Sequence, residues 1–358
     1  MSVTVMLGSG SREVGIRASP LAELCSCLHS VDELGHHPAS RAWAGDFEAV
    51  ADGQLASELR NWFPLWGPFR ARYLLPLTDH HRRELDDELQ DIADLALPEF
   101  VAMSAQALVG KSTSEPLRHL PDDAAAQKRF LARIRLISSH HLRLGHRLLT
   151  DAEQVRGELL AFLRSVVDTA YEAEWAKLRP IIDAEVRTKV HIRNRLGAGV
   201  LGDFPIATLL PDPPRVVFDK LYPATASLDD SPCLLVPSLH GNPHTVIKHY
   251  PGFPIVVQYP ISAGRGDELS LDVMRKRLTV LDNPVRINLC QSILRRAAST
   301  TELAMRLEMT APQVSRHLRR LREAGLVHGH REGAVVRYQL DTEAVHRLGL
   351  DFLQALHR

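Results

Sequence analysis

Long apolar runs, cysteines and aromatic side chains are all scarce in this sequence. Its 358 residues contain no uninterrupted apolar run of the roughly 18 residues that a transmembrane helix needs. The 4 cysteines are irregularly spaced, and the first residues lack the basic and apolar segments of a secretory signal. We therefore expect a cytoplasmic protein with reduced thiols, no disulfide framework and no membrane partner.

The short motifs of common catalytic sites are also missing. There is no GxSxG, HExxH, phosphate-binding loop or CxxC pair. The segment GAGVLG at 197–202 matches GxGxxG, but it follows a predicted helix, whereas a dinucleotide site needs a strand before it. We interpret it as a helix stop. With no nucleophile or base to nominate, we predict no enzymatic activity and no cofactor.

A basic C-terminal end is present on an otherwise acidic chain. The 43 basic and 43 acidic side chains cancel overall, but residues 269–358 hold 15 Lys and Arg against 9 Asp and Glu. Residues 1–268 therefore hold 28 Lys and Arg against 34 Asp and Glu. Such a charge division is typical of a protein that binds phosphates through one end.

The first three quarters of the chain read as helices followed by strands. Helices are expected to open at Pro20 and to cover residues 82–108, 122–149 and 151–196, the last kinked or split at Pro180. Alternating apolar runs predict a small β-layer within residues 215–261, and residues 2–6 and 13–17 fit a hairpin.

Two cysteines lie on the first predicted helix. Cys25 and Cys27 are about 200° apart around a helix axis, so they cannot readily hold one metal ion together. We interpret both as small core or surface residues.

Residues 299–340 follow the order helix, tight turn, helix and hairpin. Ser299 and Glu302 have the spacing of a capping box, and Thr310 is a good start for the second helix. That helix ends at Gly325, as expected for a glycine at the C′ position. Two short β-type runs then predict a hairpin. One face of the second helix is apolar, with Val314, Leu318 and Leu321.

These residues resemble the DNA-binding core of the ArsR-type bacterial regulators. The pattern ELAxxLxxSxxxVSxHLxxLxxAGLVxxxRxGxxxxYxL lies over residues 302–340, with Thr310 in place of its Ser. Its matches include VS at 314–315, AGLV at 324–327 and YQL at 338–340. The resemblance implies a winged helix-turn-helix, whose second helix enters the DNA major groove while the hairpin reaches the backbone or minor groove.

The earlier part of the chain has a looser resemblance. SPLAELCSCLHSV and LLVPSLHGNPHTVIKHYPGFPIVVQYP resemble an N-terminal domain of unassigned function that is fused to ArsR-type modules in actinomycete-type regulators. The expected fold class is therefore α+β: a mostly helical N-terminal regulatory or dimerisation domain with a small β-layer at 1–261, a linker at 262–268, and the winged helix-turn-helix domain at 269–358.

Base reading and phosphate binding are assigned to different side chains. Gln313, Ser315 and Arg316 lie early on the second helix, where Gln suits adenine and Arg suits guanine. Later arginines and the hairpin would neutralise phosphates. His317 borders the apolar face, so packing and DNA contact both remain open. The nominated DNA-binding residues are Thr310, Gln313, Ser315, Arg316, His317, Arg319, Arg320, His330, Arg331 and Arg337.

The resemblance implies a homodimeric transcriptional regulator on double-stranded DNA with an inverted repeat, and repressor and activator both remain open. A small-molecule effector in the N-terminal domain would be one way to control it. Aromatic side chains cluster at residues 41–73, and two readings stay open: a hydrophobic core and the wall of a ligand pocket. The nominated pocket residues are Trp43, Trp62, Trp66, Tyr171 and Trp175.

The 18 histidines do not predict a metal site. Between His240 and His244 lie a glycine and a proline that prevent helical HxxxH spacing, and no Cys or acidic residue sits nearby at regular spacing. Where ArsR-type metal sensors carry paired cysteines, this chain has ELAM at 302–305. His346 and His357 have the spacing of another such site, but Ala344 stands at its usual Asp position.

Three alternatives to an effector-controlled regulator remain at this point. The N-terminal domain could be an enzyme or small-molecule binder tethered by the winged helix. The winged helix could instead contact a protein partner. A metal-responsive repressor is the third.

Overall fold

The computed structural model describes residues 2–8, 14–32, 37, 40–67, 69–80, 83–110, 117–220, 222–261, 271–294, 296–332, 335–342, 344–345, 348–349 and 352. Contacts divide the chain into two compact units, residues 1–265 and residues 266–357. Each unit has its own hydrophobic core. The segment 262–268, expected to be a linker, lies outside the described residues.

The N-terminal unit is mainly helical, as predicted. Its helices are α1 (Pro20–Asp32), α2 (Arg41–Val50), α3 (Gly53–Trp62), α4 (Leu85–Asp94), α5 (Leu97–Val109), α6 (Ala124–Arg135), α7 (Ser139–Thr150), α8 (Ala152–Val166) and α9 (Glu172–Leu196). The start of α1 at Pro20 was predicted from its apolar spacing.

The three long helices expected from the sequence are each divided. Residues 82–108 contain α4 and α5, because the chain is extended at Leu95 and Ala96 just before Pro98 in the first turn of α5. Residues 122–149 contain α6 and α7, since Ser138 accepts a hydrogen bond from the His141 amide and caps α7.

The break within residues 151–196 is not at Pro180. A π-helical turn at Val167–Tyr171 separates α8 from α9, and α9 continues through Pro180 to Leu196. Gly197, with φ of 58°, then ends the helix, which agrees with the predicted stop. A π turn is rare and has no simple sequence pattern, which explains the wrong position.

The strands of this unit form two four-stranded sheets among the described residues. The first has the order β3 (Ala207–Pro211), β4 (Pro214–Asp219), β1 (Ser2–Met6), β5 (Ala224–Ser227). The second has the order β2 (Val14–Ile16), β6 (Cys233–Ser238), β8 (Ile255–Pro260), β7 (Val246–Lys248). The predicted β-layer is thus present, as two sheets.

The predicted hairpin of residues 2–6 and 13–17 is wrong. Strand β1 pairs with β4 and β5 in one sheet, whereas β2 pairs in parallel with β6 in the other. Each segment is a strand, but its hydrogen-bond partner lies about 200 residues away, which local alternation cannot reveal.

A buried ion pair links the chain before α1 to α4. Arg17 Nη2 lies 3.0 Å from Glu88 Oε1, and both side chains are 2% exposed. The other Glu88 oxygen accepts hydrogen bonds from Ser19 Oγ at 2.9 Å and the Leu21 amide at 3.0 Å. Burial raises the pKa of Glu88 to about 7, against the lowering effect of Arg17.

The C-terminal unit has the predicted order of elements. It contains α10 (Leu271–Leu281), α11 (Pro284–Ile293), β9 (Ala298–Ser299), α12 (Thr300–Arg306), α13 (Ala311–Glu323), β10 (Val327–Glu332) and β11 (Val335–Leu340). The strand order is β10-β11-β9. Asn283 caps α11, as expected. Most of the final helix expected at 341–358, including His346 and His357, lies outside the described residues.

No single helix in the described part of the chain is long and apolar enough to cross a membrane. The pair α4 and α5 reaches the required length and composition only jointly, with a bend of 106° between them. Most side chains of α5 are buried in the core of the N-terminal unit.

Replacing Arg17 by Ala should destabilise the N-terminal unit by about 3 kcal/mol at pH 8, since it leaves a buried carboxylate without its partner. The loss should be smaller at pH 5, because below its raised pKa Glu88 retains a proton in the folded state. Urea unfolding at both pH values measures this. Arg179→Ala removes an exposed pair with Glu84 and serves as control, with a loss below about 1 kcal/mol. Equal losses for the two variants would contradict the role of the buried pair.

Candidate nucleic-acid interface and a buried polar cluster

Local hydrogen bonds fix both the start of α12 and the turn from α12 to α13. Ser299 Oγ accepts from the Glu302 amide at 3.2 Å, and Glu302 Oε2 accepts from the Ser299 amide at 2.7 Å, which confirms the predicted capping box. The Met309 amide donates to the Ala304 carbonyl at 2.9 Å. Between them Glu308 has a φ of 53°, a left-handed conformation that tightens the turn.

Thr310 caps α13 and engages Gln313 in doing so. Gln313 Oε1 accepts from the Thr310 amide at 3.0 Å and from Thr310 Oγ1 at 2.9 Å. The predicted N-cap is confirmed. A bidentate contact of Gln313 with adenine needs both ends of the amide, so this oxygen would first have to leave the cap.

Helix α13 divides into an apolar face and a basic face. Val314, Leu318 and Leu321 are fully buried in the core of the C-terminal unit. The opposite face is exposed and carries one weak intrahelical pair, in which Arg319 Nε lies 3.7 Å from Glu323 Oε1. The remaining exposed polar side chains of the helix include Gln313, Ser315, Arg316, Arg320 and Arg322.

His317 lies between the two faces and is half-buried. Its Nδ1 is buried and has no hydrogen-bond partner among the described residues. Desolvation lowers the pKa of His317, and the charges of Arg286, Arg320 and Arg316 lower it further. Burial and the neighbouring guanidinium groups thus disfavour the protonated imidazole, which favours packing over a phosphate contact.

The hairpin places its basic side chains unequally. Gly325, with φ of 66°, ends α13 and leads into β10, as predicted. His330 and Arg331 are exposed on β10. Arg337 on β11 is half-buried, and its Nη1 lies 3.2 Å from Glu302 Oε2. This contact connects the β10–β11 hairpin, called the wing from here on, to α12 and favours a structural role for Arg337.

The five nominated pocket residues all belong to or pack against one core cluster. Tyr171 lies between Trp43 and Trp175, with ring centroids 6.3 Å and 6.2 Å away. Trp66 is stacked on Phe162 at 5.7 Å. Trp62 is 5% exposed within this core and also lines a cavity of about 450 Å³ between α3, α7 and α8. All five side chains therefore contribute to the core, and a ligand-binding role for any of them stays a prediction.

A cluster of buried polar residues was missed by sequence reasoning. Glu23 and Cys27 on α1 meet His240, which follows β6, and a donor atom from each lies within 4.8 Å of the others. All three residues are at most 5% exposed. Burial raises the pKa of the Cys27 thiol well above its usual value. No local spacing could have joined residues more than 200 positions apart.

The comparisons with known proteins cover the two units separately. The family of unknown function DUF5937 matches residues 1–265. A helix-turn-helix domain model matches residues 281–330, which span α11 to β10. The predicted recognition of a helix-turn-helix module behind a domain of unassigned function is thus confirmed.

A curated relative matches a short part of the chain. The HTH-type transcriptional regulator KmtR of Mycobacterium tuberculosis is 38% identical over 72 residues, which is 20% of this chain and 55% of KmtR. The chain thus spans about half the length of that curated relative.

Two solved structures also match part of the chain. HlyU of Vibrio cholerae is 31% identical with a TM-score of 0.20, covering 22% of this chain and 84% of that one. The second is the homodimeric winged helix-turn-helix domain of Mb0332 from Mycobacterium bovis, which is described as a possible ArsR-family transcriptional regulator. It is 26% identical with a TM-score of 0.22, and the match covers 26% of this chain and 88% of that one. The family model of DUF5937, a family of unknown function, matches almost three quarters of the sequence. The chain therefore belongs to this family, and here the family's domain is joined to a C-terminal helix-turn-helix domain.

Proposed function

We propose that this protein is a transcriptional regulator of the ArsR type that binds double-stranded DNA through α13 and the β10–β11 hairpin. The observation that carries the proposal is the two-faced character of α13. Its apolar side chains are fully buried, so the helix cannot rotate, and a row of exposed arginines is held outward. Exposed arginines on a helix fixed by a short turn are what a recognition helix requires.

Within this interface we assign base reading to Ser315 and Arg316, which lie early on α13 and are exposed. Arg319 and Arg320 lie later on the helix, and His330 and Arg331 lie on the wing. These four would contact phosphates. Thr310 and Gln313 act first through the cap that they form together. We assign Arg337 to folding, because Glu302 already holds its guanidinium.

We further propose that the regulator works as a homodimer in the cytoplasm. Apolar side chains remain exposed on the helices of the C-terminal unit outside α13, including Leu278 at 44% and Ile287 at 39%. Burying such side chains against a second copy would favour association. Two recognition helices about 34 Å apart would then read an inverted repeat.

Control by a small-molecule effector is supported by the cavity beside Trp62. Its volume of about 450 Å³ lies in the range of small-molecule sites. Its lining includes Arg143, the pair in which Arg147 Nη2 lies 2.7 Å from Glu158 Oε2, and the apolar surface of Trp62 and Phe162. This composition suits an amphipathic organic molecule. We propose binding and control for this domain, and no catalysis.

The DNA-binding proposal predicts that selection from random duplexes yields an inverted repeat. Full-length protein should enrich half-sites whose centres are about 10 base pairs apart, or a multiple of this. Affinity for the selected site should fall steeply with salt, since several phosphates are neutralised. Recovery of no enriched sequence, together with salt-insensitive binding to a protein partner, would contradict the proposal.

Arg316→Ala and Arg331→Ala should have different effects on this binding. Arg316→Ala should lose roughly 1–3 kcal/mol of binding free energy on the selected site and relax the base preference at one position. Arg331→Ala should weaken binding to all duplexes alike. It should also reduce the slope of the logarithm of the binding constant against the logarithm of salt concentration by about one. Fluorescence anisotropy on a panel of single-base variants measures both effects. If both substitutions relax specificity equally, the division of roles is wrong.

Arg337→Ala should affect folding more than recognition. Loss of the contact to Glu302 should lower the melting temperature of the C-terminal unit by a few degrees, with base preference unchanged. Arg331→Ala, on the same hairpin, is the matched control and should melt normally. An Arg337→Ala protein that melts normally but binds DNA as weakly as Arg331→Ala would show a direct DNA contact.

A further inference from the structure

The cluster beneath α1 has the donor types of a transition-metal site. Glu23 and Cys27 are four residues apart, so they lie on one face of α1. His240 comes from the segment after β6, and one donor atom of each residue lies within 4.8 Å of the other two. Cys25 is equally buried on α1 but is not part of this group.

Glu23 provides the second observation. Its Oε1 accepts hydrogen bonds from the backbone amides of Leu239 at 3.0 Å and His240 at 2.8 Å. Its Oε2 is buried and has no hydrogen-bond partner in the part of the chain that the structure describes. An unsatisfied buried carboxylate oxygen is costly, so the site lacks a donor or a cation. The residue itself is 0% exposed.

His240 is held from both sides of its ring. Nδ1 lies 2.8 Å from Ser40 Oγ, and Nε2 lies 3.2 Å from Glu174 Oε1. If one ring nitrogen binds a metal ion, the other keeps a partner that orients the ring, as in known metal sites. Glu174 is 13% exposed and can act as that partner, since its Oε1 lies against His240 Nε2.

We propose that Glu23, Cys27 and His240 bind one divalent transition-metal ion of the zinc type, with Glu174 next to it. A thiolate, an imidazole and a carboxylate together select zinc or a neighbouring soft divalent ion over magnesium or calcium. The ion forms a coordinate bond to the Cys27 sulfur, and the thiol proton goes to solvent. No electron is transferred. The site is independent of the proposed DNA binding.

Cysteine, histidine and glutamate also form nucleophilic triads, but this geometry does not suit one. Cys27 is 0% exposed, and its sulfur lies beneath α1, where an organic substrate has no access. A single ion is small enough to occupy the space among three donor atoms. It would also compensate the buried negative charge of Glu23.

Metal binding would join three distant segments of the N-terminal unit. Glu23 and Cys27 come from α1, His240 follows β6, and Glu174 lies in the first turn of α9. The π-helical turn before α9 sets the position of that first turn. Such local deviations often occur at functional sites. The ion therefore should stabilise the folded N-terminal unit.

The test uses full-length protein stripped with a chelator and then titrated with Co²⁺ as an optical probe. The wild type should bind one Co²⁺ per chain and show a thiolate-to-cobalt charge-transfer band that Zn²⁺ abolishes. Cys27→Ser and His240→Gln should lose the band. Cys25→Ser, a buried cysteine on the same helix, should retain it.

A stability readout guards against variants that simply misfold. At a free Zn²⁺ concentration of roughly 100 times the Kd, the melting temperature of the wild type and of Cys25→Ser should rise by about 5 °C or more, and that of His240→Gln should not. X-ray absorption of the zinc-loaded wild type should show one sulfur ligand. The other histidines can bind metal without sulfur, so tight binding with no sulfur ligand would overturn the proposal. So would a charge-transfer band that survives in Cys27→Ser.

Discussion

The N-terminal unit depends on a helix that is buried all along its first two and a half turns and still carries polar side chains. From Pro20 to Leu28 every residue of α1 is buried. Ser26 accepts hydrogen bonds from Arg70 at 3.2 Å and Gln258 at 3.1 Å, and Glu23 accepts from two backbone amides after β6. Because buried polar groups are costly when unpaired, these contacts fix the position of α1 between the helices and the second sheet.

Around α1 the remaining elements have defined places. The Arg17–Glu88 pair fixes the chain just before α1 to α4. Trp43 Nε1 donates to the Cys27 carbonyl at 3.2 Å and fixes α2, and the Tyr171 hydroxyl donates to the Pro20 carbonyl at 2.7 Å. The same helix then presents Glu23 and Cys27 to His240. One structural constraint therefore also creates the proposed metal site.

The C-terminal unit is built from local interactions, and for this reason much of it could be predicted. Capping boxes, a glycine stop and the apolar spacing of α13 all lie within a few residues of one another, where sequence patterns are informative. The exception is Arg337. Its position on the β10–β11 hairpin predicts a DNA contact, whereas its ion-pair partner Glu302 lies 35 residues away and could not be predicted from local sequence.

The N-terminal unit shows the opposite case. Helices and strands were largely foreseen, but β1 and β2 were paired with each other, and each in fact pairs with a distant strand. The sequence predicts a kink or break at Pro180, whereas the structure has a π-helical turn at 167–171. Such a turn has no marker in the composition. Sequence spacing argues against a metal site shared by Cys25 and Cys27, or by His240 and His244, and gives no reason to pair Cys27 with His240. Only the fold brings them together, more than 200 residues apart in sequence.

The central claim is that α13 directs this protein to particular DNA sequences. Genome-wide mapping of binding sites in cells tests it most directly, with the Arg316→Ala protein mapped in parallel. We predict a limited set of promoter sites that share an inverted repeat, and a redistribution or loss of those sites in Arg316→Ala. Sites without a common motif, or an identical map for both proteins, would contradict the claim.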